Sequence, residues 1–239
     1  MPPQPPPLRP WLKVCGLRQP PQAAAVARLG ADAIGVIAVP SSPRWLEPAA
    51  RAPLFAAVAD ASPACLGVLV VADPDDSQLP QLGPGQGHRV LQLHGDETVQ
   101  RCLQLRDALG PELLLWKALR IRSPQDLAQA EAYAGCVDAL LLDAWVPDQL
   151  GGTGHRIPTD WLQGFRPPLP WWLAGGLSPE RLAPALRELA GAPPDGVDVS
   201  SGVERSPGDK DLDRVAALVT ALASFRAPFR TTFRQDQPI

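Results

Sequence analysis

The chain has 239 residues, of which 45% are hydrophobic, and a formal net charge of −3. Its length fits a single (β/α)8 barrel, a fold of about 250 residues in its usual form. The small negative charge argues against a nucleic-acid-binding protein, which needs a basic patch to neutralise phosphates. No apolar run approaches the ~18 residues of a membrane span, so no membrane association is expected.

The two ends of the chain are predicted to lie outside the barrel domain, which is assigned to residues 11–225. Residues 1–10 are rich in proline and lack the apolar segment of a secretory signal, so they are predicted to form an extended arm. Residues 226–239 are polar and are predicted to form a C-terminal tail. The four cysteines show neither CxxC pairing nor metal-ligand spacing. A reduced, cytoplasmic protein without a metal is therefore expected.

Eight short apolar runs recur along the chain about every 25 residues and are predicted to be buried parallel strands. They are residues 12–15, 33–39, 64–71, 90–93, 113–118, 139–142, 171–174 and 196–199. Amphipathic stretches with helix-capping signals separate most of them. These predicted helices are residues 20–29, 47–59, 97–109, 123–133, 178–189 and 209–225, with a brief one at 158–162 and a short or missing one within 73–87.

Strand and helix alternating eight times predict an α/β fold, a single-domain (β/α)8 TIM barrel. An open doubly wound sheet also alternates strands and helices, but it usually has a glycine-rich dinucleotide turn after its first strand. Here that turn is CGLR at residues 15–18, with one glycine. The closed barrel is therefore favoured.

Reactive groups of barrel enzymes lie at the C-terminal ends of the strands, which makes Cys15 and Asp143 the candidate acid–base pair. Lys13 lies two residues before Cys15 on the same face of the strand, where its charge is expected to lower the thiol pKa. Asp143 follows an apolar run, and partial burial suits a carboxyl group to donate a proton near neutral pH. For Cys15 the alternative, a buried inert cysteine, stays open from position alone.

Three further side chains are candidates for contact with substrate: Lys13, Arg44 and His94. Arg44 follows a proline in a short loop, where its guanidinium could bind a carboxylate in bidentate fashion or form a surface ion pair. His94 could be a base, a substrate ligand or a structural histidine, and an orienting or structural role is favoured. No cluster of His, Cys and Asp has metal-ligand spacing, and neither a metal nor another cofactor is predicted.

Glycines and small hydroxyl residues after strands seven and eight predict a phosphate site, the commonest one of this fold. The residues are Gly175, Gly176, Ser200, Ser201 and Gly202. Glycine lets backbone N–H groups approach an anion closely, and a helix start after strand eight would favour negative charge. Tight turns that need a positive φ are the alternative explanation of each cluster taken singly. Together they predict a small phosphorylated substrate.

Eight motifs, in order and at matching spacing between about residues 12 and 219, resemble the phosphoribosylanthranilate isomerase family in its bacterial or cyanobacterial monofunctional form. They are KVCG at 13–16, GADAIG at 30–35, SPR at 42–44, QLHGDE at 92–97, LLD at 141–143, GGTG at 151–154, LAGGL at 173–177 and VDVSSGVE at 197–204. Each motif is modest evidence, whereas the whole set is specific to this family.

The resemblance implies an Amadori rearrangement in tryptophan biosynthesis that needs no cofactor. N-(5-phospho-β-D-ribosyl)anthranilate would become 1-(2-carboxyphenylamino)-1-deoxy-D-ribulose 5-phosphate. It further implies that Asp143 protonates the furanose ring oxygen and that Cys15, as thiolate, removes the C2′ proton. Arg44 would hold the anthranilate carboxylate, and the two glycine-containing loops would bind the phosphate.

The sequence departs from the family pattern at Arg18, where a small residue is usual, at His155 and Arg156, and in the proline- and glycine-rich segment 73–87. A non-catalytic phosphosugar-binding barrel is the alternative from another class. Two related barrel enzymes are disfavoured. Indoleglycerol-phosphate synthase would be expected to carry catalytic lysines and glutamates in place of the Cys/Asp pair. The histidine-pathway ProFAR isomerase would carry aspartates at the ends of strands one and five, where this chain has Cys15 and Lys117–Ala118. A monomer or weak homodimer is expected, because no long hydrophobic surface stripe stands out.

Overall fold

Eight parallel strands close into a barrel in the computed structural model, which describes residues 9–144 and 156–225. The strands are β1 (Trp11–Cys15), β2 (Ala33–Ile37), β3 (Leu66–Val71), β4 (Val90–Leu93), β5 (Leu114–Ile121), β6 (Ala139–Ala144), β7 (Trp171–Leu173) and β8 (Gly196–Val199). They follow one another around the barrel in chain order, and β8 closes it by pairing with β1. The predicted (β/α)8 fold is confirmed.

Helices connect most of the strands and cover the outside of the barrel. They are α1 (Pro20–Arg28), α2 (Pro48–Ala61), α3 (Leu79–Leu82), α4 (Val99–Leu109), α5 (Thr159–Leu162), α6 (Pro179–Glu188) and α7 (Leu212–Ala223). Proline occupies the first turn of α1, α2, α3 and α6, where its missing N–H leaves no helical hydrogen bond unmade. Within residues 9–144 and 156–225, no helix is both long and apolar enough to cross a membrane.

Three predicted elements differ from the structure. The last helix does not begin at residue 209: α7 begins at Leu212 and is capped by Asp211. Residues 209–210 instead form β10 (Asp209–Lys210), which pairs antiparallel with β9 (Glu204–Ser206) in a short hairpin. A Pro-Gly turn with Gly208 at φ 85° makes this hairpin possible.

The other two differences concern β5 and the segment that follows it. Strand β5 continues past the predicted end at residue 118 to Ile121, because its last residues pair with β6, with Arg120 opposite Asp143. The predicted helix at 123–133 is a run of 3-10 turns, Pro124–Tyr133. The predicted arm up to residue 8, the GGTG motif, His155 and the tail from residue 226 lie outside the described residues.

Side chains alternate between the barrel interior and the helix layer. In β1, Leu12 and Val14 belong to the outer core under the helices, whereas Cys15 belongs to the inner cluster. Trp116 and Trp172 fill much of the interior, with ring centroids 4.7 Å apart. These rings pack the lower part of the barrel interior, and a cavity opens at the C-terminal ends of the strands.

We expect Gly196→Ala to destabilise the protein. A Cβ at this position would lie 2.6 Å from Cδ2 of the fully buried Trp172 indole. Such overpacking should lower the free energy of unfolding by about 1–3 kcal/mol, measured by urea denaturation. Gly191→Ala is the matched control, because a Cβ there meets nothing within 4 Å. Equal losses in both variants would contradict this explanation.

Candidate functional site

A cavity lies at the C-terminal ends of the barrel strands, where the sites of barrel enzymes are found. Its lining consists of Cys15, Ile37, Val39, Ser42, Arg44, Val70, His94, Asp143, Ala174, Gly175, Gly176, Leu177, Asp198, Ser200 and Ser201. Strands β1 and β6 thus contribute a thiol and a carboxyl group to one apolar-walled pocket.

Cys15 is the last residue of β1, and its thiol faces the cavity from a buried position. The neighbouring strand leaves room for it, because a Cβ at Gly35 would lie 2.6 Å from the Cys15 Sγ. Burial raises the pKa of the Cys15 thiol above its ordinary value, and the opposing charge of Lys13 does not offset this. The expected net lowering of the thiol pKa is therefore not what the structure shows.

Lys13 is fully buried beneath Cys15 and forms an ion pair with Asp198 of β8, the residue opposite it in the β1–β8 register. The Nζ to Oδ2 distance is 2.9 Å. Burial opposes the charge of Lys13, but Asp198 and Cys15 together raise its pKa, so the lysine stays an ammonium ion. Asp198 lines the cavity, and its Oδ1 is buried without a hydrogen-bond partner among the described residues.

Asp143 projects from β6 and meets His94, which follows β4. The His94 Nε2 lies 3.4 Å from the Asp143 Oδ2, and both side chains are buried. The other ring nitrogen of His94 lies 2.9 Å from the Gln92 amide, which fixes the plane of the ring. The His94 Nε2 makes no hydrogen bond within the described part of the chain. Asp143 and His94 therefore present a polar pair to the cavity.

Arg44 reaches the cavity from the loop after β2, which is turned back by a bond from the Trp45 N–H to the Ser42 carbonyl. Its aliphatic stem crosses the end of β1 at Gly16, where a Cβ would lie 2.5 Å from the Arg44 Cδ. Glycine is required here both by this approach and by its φ of 85°. The guanidinium forms a buried bidentate pair with Glu204, through Nε at 2.9 Å and Nη2 at 2.7 Å.

The predicted phosphate loops face the same cavity. Gly175 and Gly176 both have left-handed backbones, with φ of 86° and 61°. After β8, the Ser200 hydroxyl donates to the Cys15 carbonyl at 3.0 Å, and a single 3-10 turn begins at Ser201. Gly202 packs directly on the backbone carbonyl of residue 177, so its missing side chain serves close packing between the two loops.

The structure brings most of the predicted site residues together. Those on the cavity wall are Cys15, Arg44, His94, Asp143, Gly175, Gly176, Ser200 and Ser201. Lys13 and Gly202 are not among the lining residues: Lys13 is fully buried below Cys15, and Gly202 packs against the backbone of the loop after β7.

Sequence reasoning gave no role to four polar residues that shape the site: Gln92, Asp198, Glu204 and Lys210. Gln92 and Asp198 were detectable as polar residues inside otherwise apolar strand runs, Asp198 opposite a buried lysine. Glu204 and Lys210 face each other across the β9–β10 hairpin, which the Ser-Pro-Gly-Asp run at 206–209 signals. Among the described residues, no group of three or more His, Cys, Asp or Glu side chains could hold a metal ion.

Comparison with known proteins gives one consistent result. The family model described as PRAI, N-(5'phosphoribosyl)anthranilate (PRA) isomerase, matches residues 12–221. The N-(5'-phosphoribosyl)anthranilate isomerase of Synechococcus elongatus is 51% identical over 212 residues, which cover 89% of this chain and 95% of the relative.

Solved structures agree with the sequence comparison. The phosphoribosyl anthranilate isomerase of Thermotoga maritima superimposes with a TM-score of 0.77 at 25% identity and covers 90% of this chain and all of its own. A structure of such an isomerase in complex with reduced 1-(o-carboxyphenylamino)-1-deoxyribulose 5-phosphate has a TM-score of 0.71 at 25% identity, with 90% of this chain and 100% of that one covered.

Proposed function

Since this chain belongs to the N-(5'-phosphoribosyl)anthranilate isomerase family and is an isomerase of tryptophan biosynthesis, we propose that Cys15 is its general base and Asp143 its general acid. The observation that carries this proposal is the placement of a thiol from β1 and a carboxyl group from β6 on one cavity. An isomerisation that moves a proton between carbons needs one group to donate and another to accept, both within reach of the same substrate.

The proposed reaction assigns one proton transfer to each of the two catalytic residues. Asp143 gives a proton to the furanose ring oxygen, the C1′–O bond breaks, and the ring opens to a protonated Schiff base. The Cys15 thiolate then takes the C2′ proton, and the electron pair left behind forms the C1′=C2′ bond of an enolamine. Loss of the 2′-hydroxyl proton and protonation of C1′ convert this enolamine to the ketone. Only protons move, so we propose that no cofactor takes part.

The high pKa of Cys15 is compatible with this role. A thiolate whose proton is held more tightly is the stronger base, although a smaller fraction of it is ionised at neutral pH. Lys13 below the thiol stabilises the thiolate by charge, while Asp198 holds the lysine in place. We therefore propose that Lys13 acts through Cys15. The direct contact between Lys13 and substrate that the sequence predicted is not proposed, because the Lys13 side chain is fully buried.

Arg44 is proposed to hold the anthranilate carboxylate. Its guanidinium lines the cavity, and Glu204 engages only the Nε and Nη2 edge, so the Nη1 side remains available for a second carboxylate. The relative solved with the reduced 1-(o-carboxyphenylamino) compound contains a ligand with this carboxylate, which supports a carboxylate site here.

The phosphate is proposed to bind between the two glycine-containing loops, at Gly175, Gly176, Ser200 and Ser201, while Gly202 allows the two loops to pack closely. Their position after β7 and β8 is the commonest phosphate site of the fold. His94 and Asp198 each present beside the cavity a buried polar atom that makes no hydrogen bond within the described ranges, although the His94 Nε2 lies 3.4 Å from Asp143; we propose that these atoms contact substrate hydroxyl groups. Unsatisfied buried groups of this kind are costly unless a ligand or solvent pairs with them.

The cellular location and the oligomeric state are also proposed. All four cysteines are free, which is the expected state in a reducing compartment, and we propose a cytoplasmic location. We propose a monomer or weak homodimer in solution, which sedimentation equilibrium over a range of protein concentrations would test.

The test of the function is the loss of the intrinsic fluorescence of freshly prepared phosphoribosylanthranilate on addition of purified protein. Enzymatic turnover to the carboxyphenylamino-deoxyribulose phosphate, identified by mass and by its conversion in a coupled assay, is the expected result. Tight binding of the reduced product analogue without turnover would instead show a non-catalytic phosphosugar-binding barrel.

A further inference from the structure

A buried cluster of three charges lies behind the cavity wall and consists of Arg44, Glu204 and Lys210. The Glu204 carboxylate accepts hydrogen bonds from the Arg44 Nε at 2.9 Å and Nη2 at 2.7 Å, and from the Lys210 Nζ at 2.6 Å. The side chains of Arg44, Glu204 and Lys210 are 9%, 5% and 0% exposed. Only Arg44 lines the cavity, so substrate would meet the cluster through its guanidinium.

The hairpin of β9 and β10 builds this cluster. Lys210 sits opposite Glu204 in the hairpin, and the Gly208 N–H donates to the same Glu204 oxygen at 3.0 Å. Lys210 is also held by the main chain, since its N–H donates to the Gln22 side chain at 2.9 Å. The Lys210 Nζ also lies 3.4 Å from the Ser200 carbonyl and 3.5 Å from the Ser200 hydroxyl, so the lysine joins Glu204 to the loop after β8 without itself lining the cavity.

The charge balance of the cluster depends on Lys210. Arg44 and Glu204 alone form a neutral pair, and a carboxylate that approaches Arg44 would also meet the negative charge of Glu204 nearby. Charges in a buried site are weakly screened, so this repulsion matters. Lys210 offsets Glu204 and leaves one net positive charge on the cluster. Burial lowers the pKa of the Lys210 ammonium below its ordinary value, and Arg44 acts in the same direction, whereas Glu204 opposes this through the ion pair at 2.6 Å.

We propose that Lys210 is a positioning residue for the substrate carboxylate: it neutralises Glu204 from behind, so that Glu204 can orient Arg44 without cancelling the charge that Arg44 offers. The inference rests on the proposed role of Arg44 as the carboxylate ligand. It predicts that loss of Lys210 acts on ligands that carry the carboxylate and not on ligands that lack it.

The experiment compares two ligands by calorimetry at fixed salt. One is reduced 1-(o-carboxyphenylamino)-1-deoxyribulose 5-phosphate, and the other is its phenylamino counterpart without the carboxylate. Lys210→Met should weaken binding of the first by about tenfold or more and change binding of the second by less than about twofold. Lys210→Arg, which keeps the charge, should restore most of the affinity.

Two further variants separate charge from packing. Lys117→Met is the matched control, because Lys117 is another buried lysine paired with a glutamate, Glu97, at 2.9 Å. It should reduce stability without changing the ratio of the two affinities. The double variant Glu204→Gln/Lys210→Met again carries one net positive charge and leaves no unpaired buried glutamate. It should regain much of the preference for the carboxylate that Lys210→Met loses, and it provides the comparison if the single variant does not fold.

Equal weakening of both ligands by Lys210→Met, or a double variant that stays as poor as the single one, would overturn the inference. Arg44→Leu distinguishes this failure from failure of the proposed function. If Arg44→Leu keeps the preference for the carboxylated ligand, Arg44 is not the carboxylate ligand. If it abolishes the preference while Lys210→Met retains it, only the role of Lys210 is wrong.

Discussion

Cys15→Ser should lower kcat by about 10³-fold or more, because serine keeps the size of the side chain but not its basicity. A serine hydroxyl would have to lose its proton at a far higher pH than a thiol does. The thiol lies against Gly35, which leaves space for a γ atom of either kind, so the geometry of the cavity should survive the change. Steady-state loss of substrate fluorescence measures the rate, and calorimetry with the reduced product analogue checks that binding remains.

Cys136→Ser is the control for loss of a buried thiol. Cys136 is buried away from the cavity and donates a hydrogen bond to the Tyr133 carbonyl at 3.2 Å, which a serine hydroxyl can also make. This variant should retain nearly all of its activity. If Cys15→Ser kept most of the rate, the assignment of the base would be wrong.

The pH dependence of the unmodified enzyme gives a second measure of the same group. Because burial raises the pKa of the Cys15 thiol, the thiolate is the minor form at neutral pH. The rate at which iodoacetamide alkylates Cys15 in the free enzyme should therefore rise with pH through the neutral range, by about tenfold per pH unit while the thiol stays mostly protonated. An alkylation rate that stays flat between pH 6.5 and about 8.5 would show that the thiol is already ionised there and that its pKa is not raised.

The barrel itself could be predicted from the sequence because each strand is a short apolar run, and most of these runs are separated by stretches with helix-capping signals. Trp116 and Trp172 belong to such runs, but the pattern does not show that their rings meet inside the barrel at 4.7 Å. The β9–β10 hairpin was missed for a different reason. Its two strands are short and polar, and the sequence from residue 209 onward has the pattern of a helix. The local pattern therefore predicted a helix that begins too early.

The site could be predicted in its location more than in its electrostatics. Strand ends and loop glycines point to one rim of the barrel, and Cys15, Arg44 and Asp143 meet there. The pairing of Arg44 with Glu204 joins residues 160 positions apart and depends on the three-dimensional course of two loops. The direction of the Cys15 pKa also depends on burial, which outweighs the neighbouring charge that the sequence makes visible.

Asp143→Asn should lower kcat by about 10²- to 10⁴-fold, because the amide keeps the shape of the side chain but has no acidic proton to give to the ring oxygen. Its amide can still contact His94, so the pair that Asp143 forms at 3.4 Å need not collapse. Asp96→Asn is the matched control: Asp96 lies at the same end of the barrel, its side chain is 80% exposed, and it pairs with Arg120. This control should keep kcat within about twofold of the unmodified enzyme.

Substrate with deuterium at C2′ distinguishes the two proposed roles. In Cys15→Ser the removal of the C2′ proton becomes slowest, so the isotope effect on kcat should be at its largest. In Asp143→Asn the ring opening becomes slowest, and no bond to the C2′ hydrogen breaks in that step, so the isotope effect should fall towards one. If Asp143→Asn instead shows the full isotope effect, Asp143 assists proton removal from carbon, and the assignment of the acid to the ring oxygen is wrong.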